Sequence, residues 1–335
     1  MRKCAAMPRI LLVKTSSMGD LVHNMPMIAD IRAHFPEAVI DWVAEESFVE
    51  IARMNTQIDR IIPVNMRRWK RNLGQRQTWR DFFAFKRELK RHAYDAVLDT
   101  QGLLKSAMIC RWARGDSHGQ DKHTARESIA GHLYSHSHDI PRNLHAIARN
   151  RLLAAKALGY DLPGTPPQYD LRIPEATLPF APPAEYTIVL HGTARAAKLW
   201  PVDHWIAFCR RLAQQQTNIL LPWGNETERE RAGKIAAEVP GAIVLPRLNL
   251  TQLGNLLLRA TDVVGLDTGL MHLAAGLGIP TLAIFCDTEI WQAGTCPPSG
   301  AIALTIGGKD VVPSVEEAMA AFVTVTALQP APDKA

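Results

Sequence analysis

The segment Asp262–Cys286, DVVGLDTGLMHLAAGLGIPTLAIFC, reads as strand, turn, helix, turn and strand. An apolar opening, Asp262–Leu266, meets the pair Asp267-Thr268, and Gly269 starts a helix of small residues and leucines. Gly278-Ile279-Pro280 ends that helix before a second apolar run, Thr281–Phe285. Such a turn presents the free backbone N–H groups of a helix start at the C-terminal edge of a parallel sheet, where a phosphate binds without a metal. The outline is that of a nucleotide-diphosphate site. The 19 residues Thr268–Cys286 carry no formal charge, so a membrane span is the competing reading. Three glycines, Pro280 and His272 inside the run argue against it.

Around this segment, 335 residues with 47% apolar content suffice for a large core and predict two domains. Cys4, Cys110, Cys209, Cys286 and Cys296 show no paired short spacing, which fits free thiols in a reducing compartment better than disulfides or zinc. The basic start, Met1–Ala6, precedes an apolar run (Ile10–Val13) too short for a signal peptide, and Met7 is an alternative start. A cytoplasmic protein is the expectation. The net charge of +5 is uneven: residues 1–173 hold 27 Lys and Arg against 18 Asp and Glu, and residues 174–335 hold 11 against 15. The first half is therefore the one expected to meet an anionic partner.

Strands alternate with helices through both halves. Arg9–Lys14, Val39–Ala44, Arg60–Pro63 and Ala96–Asp99 read as strands, with helical patterns over Leu21–Phe35 and Thr78–His92. The Pro-rich stretches Leu162–Gln168 and Pro174–Pro183 flank a short run, Tyr169–Ile173, and mark a linker. Beyond it, Tyr186–Leu190, Asn218–Leu221 and Ala242–Leu245 read as strands, Pro201–Gln216 as a helix, and the opening segment adds two more strands. The pattern predicts an α/β protein of two doubly wound parallel-sheet domains, 1–173 and 174–335. No G-x-G-x-x-G follows the first strand, and Gly307-Gly308-Lys309 lacks the remainder of a P-loop, which argues against a dehydrogenase or kinase.

Three charged residues stand where loops leave strands. Asp20 ends Thr15-Ser-Ser-Met-Gly-Asp20 after the first strand; it reads either as a helix N-cap or as a carboxylate that takes a proton from an incoming hydroxyl. Lys198, in the loop between Leu190 and Pro201, is either a solvated lysine or the cation that neutralises a departing diphosphate. Glu228 is either a first-turn acid favouring the helix dipole or an acceptor for two ribose hydroxyls. The chain contains no D-x-D, so a nucleotide-sugar enzyme of this sequence must stabilise its leaving group with lysine and helix-start N–H groups.

Five motifs in order, Lys14-Thr-Ser-Ser-Met-Gly-Asp20, Asp99-Thr-Gln-Gly-Leu-Leu-Lys-Ser106, Lys198-Leu-Trp-Pro201, Leu221-Pro-Trp-Gly224 and Asp267-Thr-Gly-Leu-Met-His272, resemble the lipopolysaccharide heptosyltransferases. These are inverting enzymes of glycosyltransferase family nine, and the resemblance, strongest to the type I members, covers nearly the whole chain. It implies a GT-B fold with two Rossmann-like domains facing a cleft, the first binding the acceptor and the second the donor, with the last helix packing back on the first. It implies heptose transfer from ADP-heptose (ADP-L-glycero-β-D-manno-heptose) to the Kdo of Kdo2-lipid A in inner-core assembly. No cofactor, metal or nucleic acid is expected, and peripheral attachment to the cytoplasmic face of the inner membrane is.

The resemblance makes Asp20 the general base, Lys198 the phosphate-binding lysine and Glu228 the ribose ligand. It puts Asp267, Thr268, Gly269 and His272 in the diphosphate-facing turn and Thr193 as a hydroxyl donor before the lysine. Ala194 departs from a frequent second hydroxyl, and Leu248 stands where a methionine lies near adenine. A carboxylate pressed on a diphosphate repels it, so Asp267 is expected to brace the turn while Thr268 and Gly269 make the contacts. His272, four residues after Thr268, shares its helix face, as a buried satisfied histidine or a phosphate contact. For the acceptor, Arg67, Arg68, Lys70 and Arg71 around Trp69 read as a basic loop, joined by Lys105, Lys122 and Arg126. Trp79, Phe82, Phe83 and Leu89 read as a stripe packing their helix on its sheet, with Arg80, Arg87 and Arg91 on another face. His118, His123, His132, His136 and His138 fit no ligand spacing and read as a polar surface loop near the acceptor. Other readings are transfer to a later heptose, a GT-B-shaped sugar-nucleotide epimerase, and a non-catalytic nucleotide-sugar-binding module.

Overall fold

A computed structural model describes residues 7–215 and 217–328; Met1–Ala6, with Cys4 and the basic start, and Gln216, the expected end of a helix, lie outside them. The chain divides into two compact units, Met1–Arg172 and Ile173–Ala335. In each, the apolar runs at the centre of the sheet become strands buried on both faces, as a parallel sheet covered by helices requires.

The first unit runs β1 (Arg9–Val13), α1 (Met18–Val22), α2 (Met25–His34), β2 (Val39–Glu45), α3 (Val49–Arg53), β3 (Arg60–Val64), α4 (Met66–Arg71) and α5 (Arg76–Leu89). It continues with β4 (Ala96–Asp99), α6 (Leu104–Trp112), β5 (Ser117–Gln120), β6 (His136–His138) and α7 (Ala146–Leu158). Its sheet is parallel, in the order β3-β2-β1-β4-β5-β6. The helix expected over Leu21–Phe35 is two helices, because Pro26 at the start of α2 lacks an N–H and clashes with a preceding turn. The basic segment read as a loop is α4, whose Trp69 is buried against Phe82 and Phe85.

Two histidine-bearing segments read as surface loop are strands. Ser117–Gln120 and His136–His138 have no apolar signal and gain strand structure only by pairing, the first on β4 and the second on the first. The pairing sets His118 opposite His136, with rings stacked at 4.8 Å, and brings His118 Nδ1 within 3.1 Å of His138 Nε2. The His118 and His138 rings are 10° from parallel, a geometry for one shared N–H···N bond. Among the described residues, no group of three or more His, Cys, Asp or Glu is arranged to hold a metal ion.

The second unit runs β7 (Tyr186–Leu190), α8 (Val202–Gln214), β8 (Asn218–Leu221), α9 (Glu226–Glu238), β9 (Ala242–Val244) and α10 (Leu250–Arg259). It continues with β10 (Asp262–Leu266), α11 (Gly269–Gly276), β11 (Thr281–Phe285), α12 (Ile290–Ala293), β12 (Ala303–Gly307) and α13 (Val315–Ala327). Its order, β12-β11-β10-β7-β8-β9, repeats the logic of the first sheet. Trp200, Trp205 and Phe208 fill one face, and Phe322 of α13 packs on Phe208 at 5.8 Å. The last helix thus rests on α8, β11 and β12 of its own unit. Asp262–Cys286 is strand, helix and strand, and among the described residues no helix is long and apolar enough to cross a membrane.

One buried ion pair ties the first unit together. Arg151 of α7 forks Asp30 of α2, Nε to Oδ2 at 2.6 Å and Nη2 to Oδ1 at 3.0 Å, with both side chains 9% exposed. The same guanidinium donates to the carbonyls of Thr165 and Pro163, which pins the Pro-rich stretch after α7. Arg151→Met leaves Asp30 buried without its partner and is expected to cost about 3–5 kcal/mol in urea unfolding. Adding Asp30→Asn removes the stranded charge and should recover much of the loss; a double variant no more stable than the single one would refute this account.

Candidate active site

Strand order decides which loops meet. In the first sheet β1 and β4 are neighbours although three helix-bearing crossovers separate them in the chain, so the loops after both strands lie side by side. Thr15, just past β1, donates its N–H and its hydroxyl to Gln101 Oε1, each at 2.8 Å. Lys14 Nζ donates to the Thr100 carbonyl at 3.1 Å. Asp99, wholly buried, shapes the second loop by accepting from the N–H groups of Gln101 and Gly102 and from Tyr134 Oη. Gly102 has φ +64°, and a Cβ there would meet the Arg126 backbone nitrogen at 3.2 Å.

This frame holds Asp20. Ser17, not Asp20, is the N-cap of α1; Asp20 sits in the first turn and its Oδ2 accepts from the Ser17 N–H and hydroxyl, both at 2.8 Å. Its Oδ1 lies 3.6 Å from Lys14 Nζ, and 36% of the side chain remains open. Burial works to raise its pKa, but the Lys14 ammonium, the Ser17 bonds and His23 outweigh it and hold the carboxyl at about 2. Asp20 therefore closes a capping box with Ser17 and remains an ionised carboxylate with one oxygen uncommitted to the helix.

The basic residues of this unit separate into two groups. Lys105 Nζ reaches Ser16 Oγ at 3.5 Å; burial lowers its pKa, and the charges of Arg67 and Arg126 lower it further. Those three cations share one electrostatic neighbourhood beside the Asp20 loop. Arg68 instead pairs with Asp81 of α5 at 2.6 Å, and Lys70, Arg71 and Lys122 are exposed.

In the second unit, β7 and β10 are neighbours, so the loop after β7 faces the Asp267 turn. Thr193 Oγ1 donates to the Asp267 carbonyl at 3.0 Å, and Lys198 Nζ pairs with Asp267 Oδ2. Thr288, just past β11, donates to the same Oδ2 at 2.7 Å, and His272 Nε2 lies 3.3 Å from Oδ1. Burial alone would raise the Asp267 pKa; the bond and charge of His272, then Lys198 and Thr288, hold it below the usual carboxylate range. Asp267 is thus a hub that orients a lysine, a histidine and a threonine. Thr268 is the N-cap of α11 but makes no side-chain cap, which leaves the first N–H groups at Gly269 open.

Glu228, in the first turn of α9, accepts from the Gly224 N–H at 2.7 Å through Oε2. Its carboxyl lies against the loop after β7: a Cβ on Gly192 would come within 2.7 Å of Glu228 Cδ. Only glycine admits the acid there. Leu248 is half-buried between β9 and α10, near the Leu245 carbonyl that accepts from Trp223 Nε1 at 2.6 Å. The motifs contain Lys14 and Gln101, whose holding role for the Asp20 loop is visible only once β1 and β4 are adjacent. Thr288 lies outside every motif, and its approach to Asp267 follows from β11 pairing with β10.

Comparison with known proteins matches this arrangement. Residues 82–308 fit the family model described as glycosyltransferase family 9 (heptosyltransferase). The chain is 42% identical over 282 residues to lipopolysaccharide heptosyltransferase 1 of Pseudomonas aeruginosa, covering 84% of this chain and 79% of that one. It is 40% identical over 284 residues to the Escherichia coli K12 protein of the same name, covering 84% and 88%. The solved structure of E. coli heptosyltransferase WaaC with ADP superposes with a TM-score of 0.83 at 35% identity, over 96% of this chain and 100% of that one. The same protein with ADP-2-deoxy-2-fluoro heptose gives a TM-score of 0.80 at 35% identity, over 94% and 99%. With two six-stranded parallel sheets of the GT-B type and these relatives, the chain belongs to glycosyltransferase family 9, the heptosyltransferases.

Proposed function

We propose that this glycosyltransferase moves L-glycero-D-manno-heptose from ADP-heptose to the Kdo of Kdo2-lipid A, with donor recognition in residues 174–335 and acceptor recognition in residues 1–173. The observation that carries the donor half is the Asp267 hub, which gathers Lys198, His272 and Thr288 beside an uncapped helix start. The relatives named heptosyltransferase 1, and the related structure holding an ADP-heptose analogue, support the choice of sugar nucleotide.

The chemistry follows from the charges. The Asp20 carboxylate, ionised and partly exposed beside Lys14, accepts the proton of the acceptor hydroxyl as its oxygen bonds to the anomeric carbon. The anomeric carbon–oxygen bond to ADP breaks on the opposite face, with inversion. A carboxyl held at about 2 is a weak base, so proton transfer comes late, when the bond to the sugar has made the hydroxyl acidic. Negative charge growing on ADP is met by Lys198 and by the N–H groups at Gly269. Thr268 adds its hydroxyl, and Glu228 takes the ribose hydroxyls. Thr193 and His272 steady Asp267, and Leu248 lies toward the adenine. Lys105, Arg67 and Arg126 bind the acidic sugar and phosphates of the acceptor, with Arg68, Lys70, Arg71 and Lys122 farther out. The acceptor's lipid implies work at the cytoplasmic face of a membrane.

Asp20→Asn retains an oxygen for the Ser17 bonds but cannot take a proton. Turnover is expected to fall about a hundredfold or more with ADP-heptose affinity and melting temperature nearly unchanged. Near-normal turnover would leave Asp20 a helix cap alone. Because its pKa is depressed, the wild-type carboxylate stays charged from pH 8 down to about 4, and no acid limb in that interval is expected from it.

Lys198→Ala removes a charge-assisted contact of about 1.5–3 kcal/mol, tenfold or more in ADP affinity, and also bares Asp267 toward the diphosphate. Calorimetry on Asp267→Asn in that background should recover part of the loss. No recovery would separate Asp267 from the anion site. Catalysis by lysine and backbone also predicts full turnover in EDTA, and a strict need for a divalent cation would contradict it.

For the acceptor, Arg67→Ala with Arg126→Ala is expected to raise its KM several-fold with the donor KM unchanged, while Arg68→Ala, paired with Asp81, changes little. The reverse pattern would put the acceptor elsewhere.

A further inference from the structure

The sequence stripe Trp79, Phe82, Phe83 and Leu89 does not pack as one face. Phe85 and Leu89 are buried and Phe82 is half-buried, whereas Trp79 and Phe83 point outward, 48% and 57% exposed. Arg76, Arg80, Phe83 and Arg87 follow one another at helical spacing, and with Trp79 and Ala84 they line an open groove of about 520 Å³. Leu73, just before the helix, is 58% exposed on its own side of the same turn. Cations and aromatics therefore share one outward face of α5, instead of occupying separate faces.

Two features make this face unlike an ordinary solvated helix. Arg76, Arg80 and Arg87 have no ion-pair partner among the described residues, although Asp81 and Glu88 stand on the same helix. Those two acids are engaged by Arg68, Arg60 and Arg91 instead. The exposed rings are also held in place. Trp79 Nε1 donates to the Leu73 carbonyl at 2.9 Å, and Trp79 and Phe83 sit 6.4 Å apart. Phe82 supports both, and it in turn packs edge-on against Trp112 at 5.1 Å and Trp69 at 5.7 Å. Ordering these rings at a partner surface costs little further side-chain freedom.

We propose that the outward face of α5 is the surface by which the protein rests on an anionic phospholipid bilayer. Indole and phenyl rings prefer the headgroup level, and free guanidinium groups pair with lipid phosphates, so interleaving both along one helix matches that interface. Charge alone would equally suit an acidic protein; two immobilised, water-exposed rings among the arginines favour the bilayer. This identification builds on the reading of the acceptor as a lipid-borne sugar. It adds a contact that α4 and Lys105 do not supply, because α5 holds the lipid surface and leaves the acceptor headgroup to them.

Co-sedimentation with vesicles of phosphatidylcholine, with and without phosphatidylglycerol, tests it. The intact chain should bind the anionic vesicles, several-fold better than the neutral ones, and lose that preference in high salt. Trp79→Ala with Phe83→Ala should weaken anionic binding about tenfold. Arg76→Gln, Arg80→Gln and Arg87→Gln together should abolish the preference for phosphatidylglycerol. Each variant should keep wild-type turnover with a water-soluble, deacylated acceptor, which also shows that it is folded. Equal binding of both vesicle types by the intact chain, or unchanged binding by the variants, overturns the proposal. Loss of turnover on the soluble acceptor in the α5 variants overturns it too, since α5 would then belong to the acceptor site. Absence of heptose transfer by the intact chain, with the vesicle results as expected, would instead refute only the assigned reaction.

Discussion

The adjacency of β1 with β4 in one unit, and of β7 with β10 in the other, is the constraint on which the candidate loops of each unit depend. In each sheet the chain winds outward over three strands, returns to the centre and winds the other way, so two loops distant in sequence emerge together at the reversal. Thr15 then finds Gln101, 86 residues away, and Thr193 finds the Asp267 carbonyl, 74 residues away. A rigid scaffold thereby fixes groups that sit on loops, and the loops themselves need little internal structure.

Both carboxylates placed at those reversals are held ionised, by different means. Asp20 is held by a buried lysine and its own helix cap; Asp267 by a histidine, a lysine and a threonine. The difference lies in what is left over. Asp20 spends Oδ2 on Ser17 and leaves Oδ1 in a looser ion pair with Lys14 at 3.6 Å, with 36% of its side chain exposed, whereas both oxygens of Asp267 are engaged and its side chain is 10% exposed.

Much of this was legible in the residues, and what was hidden has physical causes. β4, β7, β8, β10 and β11 are continuous apolar runs between turn signals, and their limits could be read directly. β5 and β6 could not, because Ser-His-Gly-Gln and His-Ser-His have no strand preference until a neighbour supplies the ladder. The break before α2 was signalled by Pro26, which a search for apolar spacing alone passes over. In the site, the residue types and loops were visible, but Thr288 and Gln101 act through strand order, which no local window contains. The split of the α5 aromatics was hidden for a similar cause: Trp79 and Phe83 lie one turn apart on an arc of their own, and only the position of the sheet says which arc faces inward.

The histidine ladder at the far side of the first sheet carries its own consequence. β6 is three residues long and ends the sheet, where an open row of backbone groups invites pairing with another chain. His118 is held down to about 4 by burial and by the neighbouring rings, and His138 is lowered by burial and by Lys156 and His136, so at neutral pH both are uncharged and joined by one proton. The unfolded chain takes up protons on these rings before the folded one does, so acidification through about 6 toward 4 favours unfolding at this border. The sheet is therefore closed, on the side away from β1, by a seam whose strength acid erodes.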